Sequence, residues 1–230
     1  MMATDRSFHF FASYRDQITA TFSNRHFSSE TRPDFLKTLK LDAQPLYLVK
    51  QVHGENIIRI AEDTQATVDQ TADGVITHRS EITIGILTAD CVPVFYWDPE
   101  KKVIALAHAG WKGAYHRIAS KMVAAFQQNF GSQAANIQVG IGPCIRREVY
   151  EVGSEFETYF PGFYYPSSIA GKGHLDLPGF VMNDLIQAGI LRQNIEDCGF
   201  CTYQEPDHFY SYRRENQTRE RILSVISMRN

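Results

Sequence analysis

Cysteine is sparse in this chain, with four in 230 residues, at positions 91, 144, 198 and 201. That is too few, and too clustered toward functional-looking sequence, for a secreted disulfide framework, so reduced thiols are expected. Long apolar runs are missing too. No stretch approaches the ~20 residues of a membrane span, and the start Met1-Met2-Ala3-Thr4-Asp5-Arg6 does not lead into a signal-peptide core. A cytoplasmic protein without a membrane partner is expected. Basic excess is also lacking. Lys plus Arg number 23 against 26 Asp plus Glu, a formal net charge of -3 with no basic stripe, which disfavours nucleic acid as a partner. No internal repeat or low-complexity tract is visible.

What is present fits one compact domain over residues 1–230, because 43% hydrophobic and 21% charged content lies in the ordinary globular range. Runs rich in β-branched and aromatic residues read as strands: Phe8 to Tyr14, Ile18 to Phe22, Pro45 to Gln51, Gly74 to Thr77, Ile82 to Leu87, Val92 to Trp97 and Val103 to Ala107. The last two are joined by the polar turn Asp98-Pro99-Glu100-Lys101-Lys102, which predicts an antiparallel hairpin. Ile118, Met122, Phe126 and Phe130 recur every fourth residue ahead of Gly131, so a helix is expected from about Tyr115 to Phe130. A second is expected from about Gly179 to Ala188, with Glu151 to Phe160 as a further candidate and Pro161 to Gly173 as a surface loop. Strands and helices do not alternate regularly, so an α+β layered fold is expected rather than a doubly wound sheet.

Three segments put a metal-binding side chain next to a strand end and small residues: Gln51-Val52-His53-Gly54, Thr88-Ala89-Asp90-Cys91 and Ala107-His108-Ala109-Gly110-Trp111. Zinc accepts imidazole and thiolate, and a catalytic site uses three protein ligands, so His53, Cys91 and His108 would make such a set. Spacing alone leaves another reading open, in which Cys91 is a small buried hydrophobe and the histidines are hydrogen-bonded structure. The pair Cys198 and Cys201 has no second CxxC partner for a zinc ribbon and no thioredoxin-like opening before it. Cys144, after Gly142-Pro143, reads as structural.

The motifs Gln-Val-His-Gly, Thr-Ala-Asp-Cys-Val-Pro-Val, Ala-His-Ala-Gly-Trp-Lys-Gly, Gly-Ile-Gly-Pro-Cys-Ile and Phe-Tyr-Ser-Tyr-Arg-Arg occur in this order. From about His53 to Arg214 the chain resembles the YfiH/YlmD family, long labelled polyphenol oxidase or laccase-domain proteins and understood as purine nucleoside phosphorylases with accompanying adenosine deaminase activity. The resemblance implies an α+β fold, a layered mixed β-sandwich with flanking helices, that has been compared with cysteine-dependent deamidating toxins. It implies zinc on His53, Cys91 and His108, and phosphorolysis of adenosine, inosine, guanosine or methylthioadenosine to base and pentose 1-phosphate. Purine nucleosides and phosphate are the expected small-molecule partners, and oligomeric state stays open.

With that implied chemistry, Cys91, His108 and Asp90 become the catalytic candidates, Asp90 or Asp73 serving to orient an imidazole or as a general base. Phosphorolysis also needs cations, for which Lys112, Arg213, Arg214, Arg25 and Arg32 are candidates, each of them otherwise a solvated surface charge. The chain departs from the family at Lys112, where arginine is more common, at His26-Phe27-Ser28 in place of Gly-Gly-x-Ser, and at Thr218-Arg219-Glu220 in place of Thr-Gly-Arg. Three other readings remain: a cysteine hydrolase with Cys91 as nucleophile and His108 as base, copper-dependent phenol oxidation, and a non-enzymatic nucleoside-binding module. The copper reading is weaker, since a multicopper site needs many histidines and the chain has eight in all.

Overall fold

The computed structural model describes residues 8–61 and 70–229; Met1 to Arg6 lie outside the described residues. The strands are β1 (Ile18–Phe22), β2 (Leu46–Tyr47), β3 (Ile57–Ile60), β4 (Gly74–Thr77), β5 (Thr83–Thr88), β6 (Val92–Asp98), β7 (Val103–Ala109), β8 (Gln138–Ile141), β9 (Glu151–Gly153), β10 (Tyr164–Pro166), β11 (Lys172–Leu175), β12 (Ile195–Asp197) and β13 (Ile222–Met228). The helices are α1 (Arg32–Thr38), α2 (Trp111–Tyr115), α3 (Ile118–Phe130), α4 (Phe156–Tyr159) and α5 (Leu177–Gln187). The architecture is the expected layered α+β.

Two sheets form the body. One runs β1-β13-β5-β2 and the other β12-β8-β6-β7-β4-β3, and β10-β11-β9 makes a small third sheet. Every residue of β6 and β7 is buried, because both faces of the six-stranded sheet are covered. Phe95, Trp97, Ile104 and Leu106 point toward the four-stranded sheet, meeting Ile84, Ile86, Ile222 and Ile226. The alternate residues Val94, Tyr96, Val103 and Ala105 point the other way, onto α3 and α5. Phe35 and Leu36 of α1 cover the outer face of the four-stranded sheet at Leu223 and Val225.

The expected hairpin is present, with Val92 paired to Ala109 and Asp98 to Val103. The apolar stripe of α3 buries Ile118, Met122 and Phe126, worth about 1.5–3 kcal/mol for each large side chain, and Gly131 stops the helix at φ 65°. The expected start at Tyr115 is corrected. Arg117, at φ 62°, breaks the segment into α2 and α3, and Asp184 from α5 caps the new start by accepting from the Ser120 amide at 3.0 Å. That cap comes from a distant residue, so local periodicity does not show it.

Several other boundaries are corrected. Phe8 to Tyr14 is not a strand but an isolated bridge at His9 followed by a 3-10 turn over Ala12–Tyr14. Only Leu46–Tyr47 of Pro45 to Gln51 pairs as a strand. Glu151 to Phe160 divides into β9 and the short α4, and Pro161 to Gly173 contains β10 and the start of β11, whose ladder puts Tyr164 opposite Leu175. Strands β3, β8, β12 and β13 are additional.

Candidate metal centre and its cleft

Strand pairing gathers the site. β6 runs antiparallel to β7, placing Pro93 opposite His108, and β4 is antiparallel to β7 with Gly74 opposite Ala107. β3 lies parallel to β4. Cys91 just before β6, His108 near the end of β7, Asp73 just before β4 and the His53 loop ahead of β3 therefore meet at one edge of the six-stranded sheet. The ligand atoms of His53, Cys91 and His108 all lie within 4.8 Å of one another. His108 is buried, Cys91 partly buried and His53 exposed, so the cluster opens toward solvent on the His53 side.

Asp73 organises this cluster. Its side chain is buried, and Oδ1 accepts from His108 Nδ1 at 2.8 Å and from the His53 amide at 2.9 Å. Oδ2 accepts from the Gly54 amide at 2.7 Å and the Val52 amide at 3.2 Å. Burial pushes this carboxyl up, but the bonds from His108 and the Gly54 amide, the His108 charge and the Val52 amide together hold it below its ordinary value. Ionised Asp73 can only accept, so His108 donates through Nδ1 and keeps its other nitrogen for a ligand. The same carboxylate, bridging three successive amides, holds His53 at φ 59°, a left-handed conformation that costs a side chain energy. Gln51 fixes the entry to this loop by pairing its side-chain amide with Leu87 in both directions at 2.8 Å.

Cys91 and His108 perturb each other. Burial pushes the Cys91 thiol up, yet the His108 charge and hydrogen bonds from His108 and His53 outweigh it and bring the thiol down to about 6. Burial pulls the His108 imidazole down, yet Cys91 and Asp73 outweigh that and raise it to about 9. Both shifts favour the thiolate–imidazolium form of the metal-free pair. Gly110 is required for their approach: a Cβ there would lie 2.9 Å from His53 Cδ2 and 3.1 Å from Cys91 Sγ.

The cluster borders a cavity of about 680 Å³, a size suited to a small organic substrate. Trp111, Tyr150 and Tyr212 give it aromatic walls, and Arg213 and Arg221 are its cations. Asp90 also lines it, but its carboxylate accepts from the Thr202 hydroxyl at 2.6 Å and the Arg213 amide at 2.7 Å, which fixes the Arg213 loop to the cleft. Arg213 itself lies over the Tyr150 ring at 5.3 Å and donates to the Glu151 carbonyl at 2.8 Å.

The other candidate cations lie outside the lining. Arg214 is engaged with the carbonyls of Thr202, Tyr203 and Phe209 and with Glu215, so it staples the loop internally. Arg25 bonds the Pro206 carbonyl and pairs with Glu215 at 3.3 Å. Arg32 has a buried Nε without a partner, and Lys112 is exposed beside the Trp111 ring at 5.5 Å. Sequence reasoning missed Arg221 and Thr88 as lining residues. The run Ile222 to Ile226, apolar except for Ser224, was the available signal, since it marks a strand that follows Arg221 and whose first residue pairs with Thr88.

Comparison with known proteins gives the family. A family model described as multi-copper polyphenol oxidoreductase laccase matches residues 21–229. The chain is 31% identical over 208 residues to a purine nucleoside phosphorylase of Clostridium acetobutylicum, covering 88% of this chain and 86% of that one. It is 30% identical over 190 residues to adenosine deaminase RL5 from an unknown prokaryotic organism, covering 76% and 72%. The crystal structure of the hypothetical protein YfiH from Bacillus licheniformis superposes with a TM-score of 0.86 at 26% identity, covering 92% of this chain and 93% of that one.

Proposed function

Because the chain belongs to the YfiH/YlmD family, which that laccase model describes, we propose that it is a zinc-dependent enzyme of purine nucleosides, a phosphorylase with adenosine deaminase as a second activity. The observation that carries this reading is the His53, Cys91 and His108 cluster on the wall of a cleft that also presents cations and aromatic faces. The relatives named purine nucleoside phosphorylase and adenosine deaminase supply the substrate class. Two imidazoles and one thiolate, with a carboxylate behind one imidazole, suit zinc. Among the described residues this is the one cluster of three or more such ligands, whereas a multicopper site needs more.

His53, Cys91 and His108 would hold the ion, and zinc when bound supplies Lewis-acid polarisation and acidifies water. Asp73 keeps His108 oriented and the His53 loop in place. Trp111 and Tyr150 offer flat faces for a purine. Burial pushes the Tyr150 phenol up, with the Cys91 charge adding to it, so this hydroxyl stays protonated and can donate to the base. In phosphorolysis a phosphate oxygen bonds to C1′ while the bond to N9 breaks, its electron pair leaving on the purine, which is then protonated. Arg213 is a cleft cation that can orient phosphate and offset its charge. In deamination water adds at C6 and ammonia leaves, giving inosine from adenosine.

One observation favours a second reading. Cys91, His108 and Asp73 stand in series as nucleophile, base and orienting carboxylate, which is the arrangement of a cysteine hydrolase. Metal content separates the two. Chromatography of adenosine incubated with metal-quantified protein, with and without phosphate, is expected to show phosphate-dependent adenine and phosphate-independent inosine, both lost in Cys91→Ala. Zinc-loaded protein that leaves every tested purine nucleoside unchanged would sink the nucleoside reading. Activity confined to metal-free protein and blocked by iodoacetamide would establish the hydrolase.

A further inference from the structure

Thr88, the last residue of β5, is buried and lines the cleft, yet its hydroxyl has no hydrogen-bond partner. Buried polar groups in folded proteins are almost always paired, so an orphan on a residue that lines a cavity points to a ligand contact. Ser132 and Ser224 also carry buried hydroxyls without partners, and neither lines the cleft. Thr88 pairs with Ile222 in the β5–β13 ladder, which places Arg221 immediately before its partner. Arg221 lines the same cleft. Both of its hydrogen bonds leave from Nη1, to the carbonyls of Thr218 at 2.5 Å and Glu220 at 2.8 Å. Its guanidinium lies over the Tyr212 ring at 5.7 Å, and among the described residues Nε and Nη2 have no acceptor.

The charges around this end favour an anion. Arg213 and Arg221 face one carboxylate of the lining, Asp90, whose two oxygens are already taken by Thr202 and the Arg213 amide. Glu220, next to Arg221, is turned to Ser29, accepting from its amide at 2.8 Å and its hydroxyl at 2.9 Å. A tetrahedral oxyanion would take the Thr88 O–H and the free guanidinium N–H groups at once.

We infer that Thr88 and Arg221 form, with Arg213, the seat of the phosphate co-substrate. The inference rests on the phosphorylase reading. It places phosphate at the edge of the four-stranded sheet, in the cleft that the His53, Cys91 and His108 cluster lines from the six-stranded one. Thr88 is a selective contact because its hydroxyl has no other bond to make, and Arg221 supplies the charge.

Inorganic phosphate is the probe, followed by calorimetric titration into the zinc-loaded protein and by the phosphate KM of adenosine phosphorolysis. Arg221→Met is expected to weaken phosphate binding and raise that KM roughly tenfold or more, with Arg221→Lys in between. Thr88→Val, which removes an unpartnered hydroxyl and should fold normally, is expected to weaken binding about fivefold while its melting temperature stays level or rises. Phosphate affinity and phosphate KM both unchanged in Arg221→Met and Thr88→Val overturn the inference, as does wild-type protein that binds no phosphate. Phosphate bound by wild type and lost in both variants, with no base released from any nucleoside, upholds the site and defeats the phosphorylase reading instead.

Discussion

Two regions of this protein place cysteines beside charged groups at strand ends of the same sheet, and they treat the thiol in opposite ways. At the cleft, Cys91 is drawn down to about 6 despite burial, by the His108 charge and by hydrogen bonds from both imidazoles. Beyond β8, Cys144 pairs across a bridge with Cys201, and burial pushes its thiol well above the usual range even with Arg146 nearby. Cys198, beside them, is pushed by burial to about 12. The difference lies in what the neighbouring cation is already doing. Arg146 does pull the Cys144 thiol down, but burial outweighs it and Asp197, bound to that guanidinium at 2.7 and 2.8 Å, pushes the thiol the other way. His108 is shared between Asp73 and Cys91, so the thiolate belongs to the network that holds the proton. Burial keeps a cysteine protonated; a directed imidazole favours its thiolate.

The largest test of that contrast is substitution on each side. Cys91→Ala is expected to abolish stoichiometric zinc, measured by plasma mass spectrometry, and to bring nucleoside turnover to background. Cys144→Ala should keep metal and turnover and lose about 1 kcal/mol of stability, read as a drop of about 2–4 °C in Tm. Equal loss of zinc in both would erase the distinction. Next in size is Asp73→Asn, which removes the charge behind His108 and can place an NH2 against amides that need an acceptor. Zinc affinity should fall about 10–100-fold by competition with a chelator, whereas Asp197→Asn, at the other region, should leave it unchanged.

How much of this was legible follows the same divide between local and distant causes. The hairpin β6–β7 could be read from alternating apolar runs around one polar turn, and the ligand residues stood out beside small residues at strand ends. Asp73 was visible as a neighbour of the site, but its hold on three amides and one imidazole depends on β4 lying beside β7. Arg213 and Arg214 look alike in sequence, and only tertiary carbonyls decide that Arg214 is a staple. The break at Arg117 was hidden because its cap, Asp184, comes from α5. Residues Ile222 to Met228 were passed over as a strand, and with them Arg221.

A smaller effect concerns reactivity in the metal-free protein. Iodoacetamide should modify Cys91 with a rate that rises through a pH of about 6, while Cys144 and Cys198 stay unmodified to pH 9 because burial keeps their thiols protonated. Mass spectrometry of tryptic peptides reads the site. Zinc should protect Cys91, and its binding at pH 7 should release about one proton, since His108 must give up the charge it carries before it can coordinate. Titration in two buffers of different ionisation enthalpy measures that proton.

The smallest expected effect is on stability against pH, and its smallness is the point. Taken singly, the depressed Cys91 thiol contributes stability that is complete above its ordinary 9.0 and is lost as pH falls through about 6. The raised His108 contributes stability that is complete below its ordinary 6.5 and is lost as pH rises through about 9. Together the folded pair gives up its two protons near 6 and 9, and the unfolded pair near 6.5 and 9.0. The two contributions have opposite signs over the same pH window, so they largely offset and the slope from this pair is small. Denaturant unfolding of metal-free wild type and of His108→Gln should show the same pH slope between 6 and 9, even though the alkylation profile of Cys91 shifts upward in the variant. A slope that changes with His108→Gln would mean that the proton is not exchanged between thiol and imidazole, and that Cys91 differs from Cys144 in degree alone.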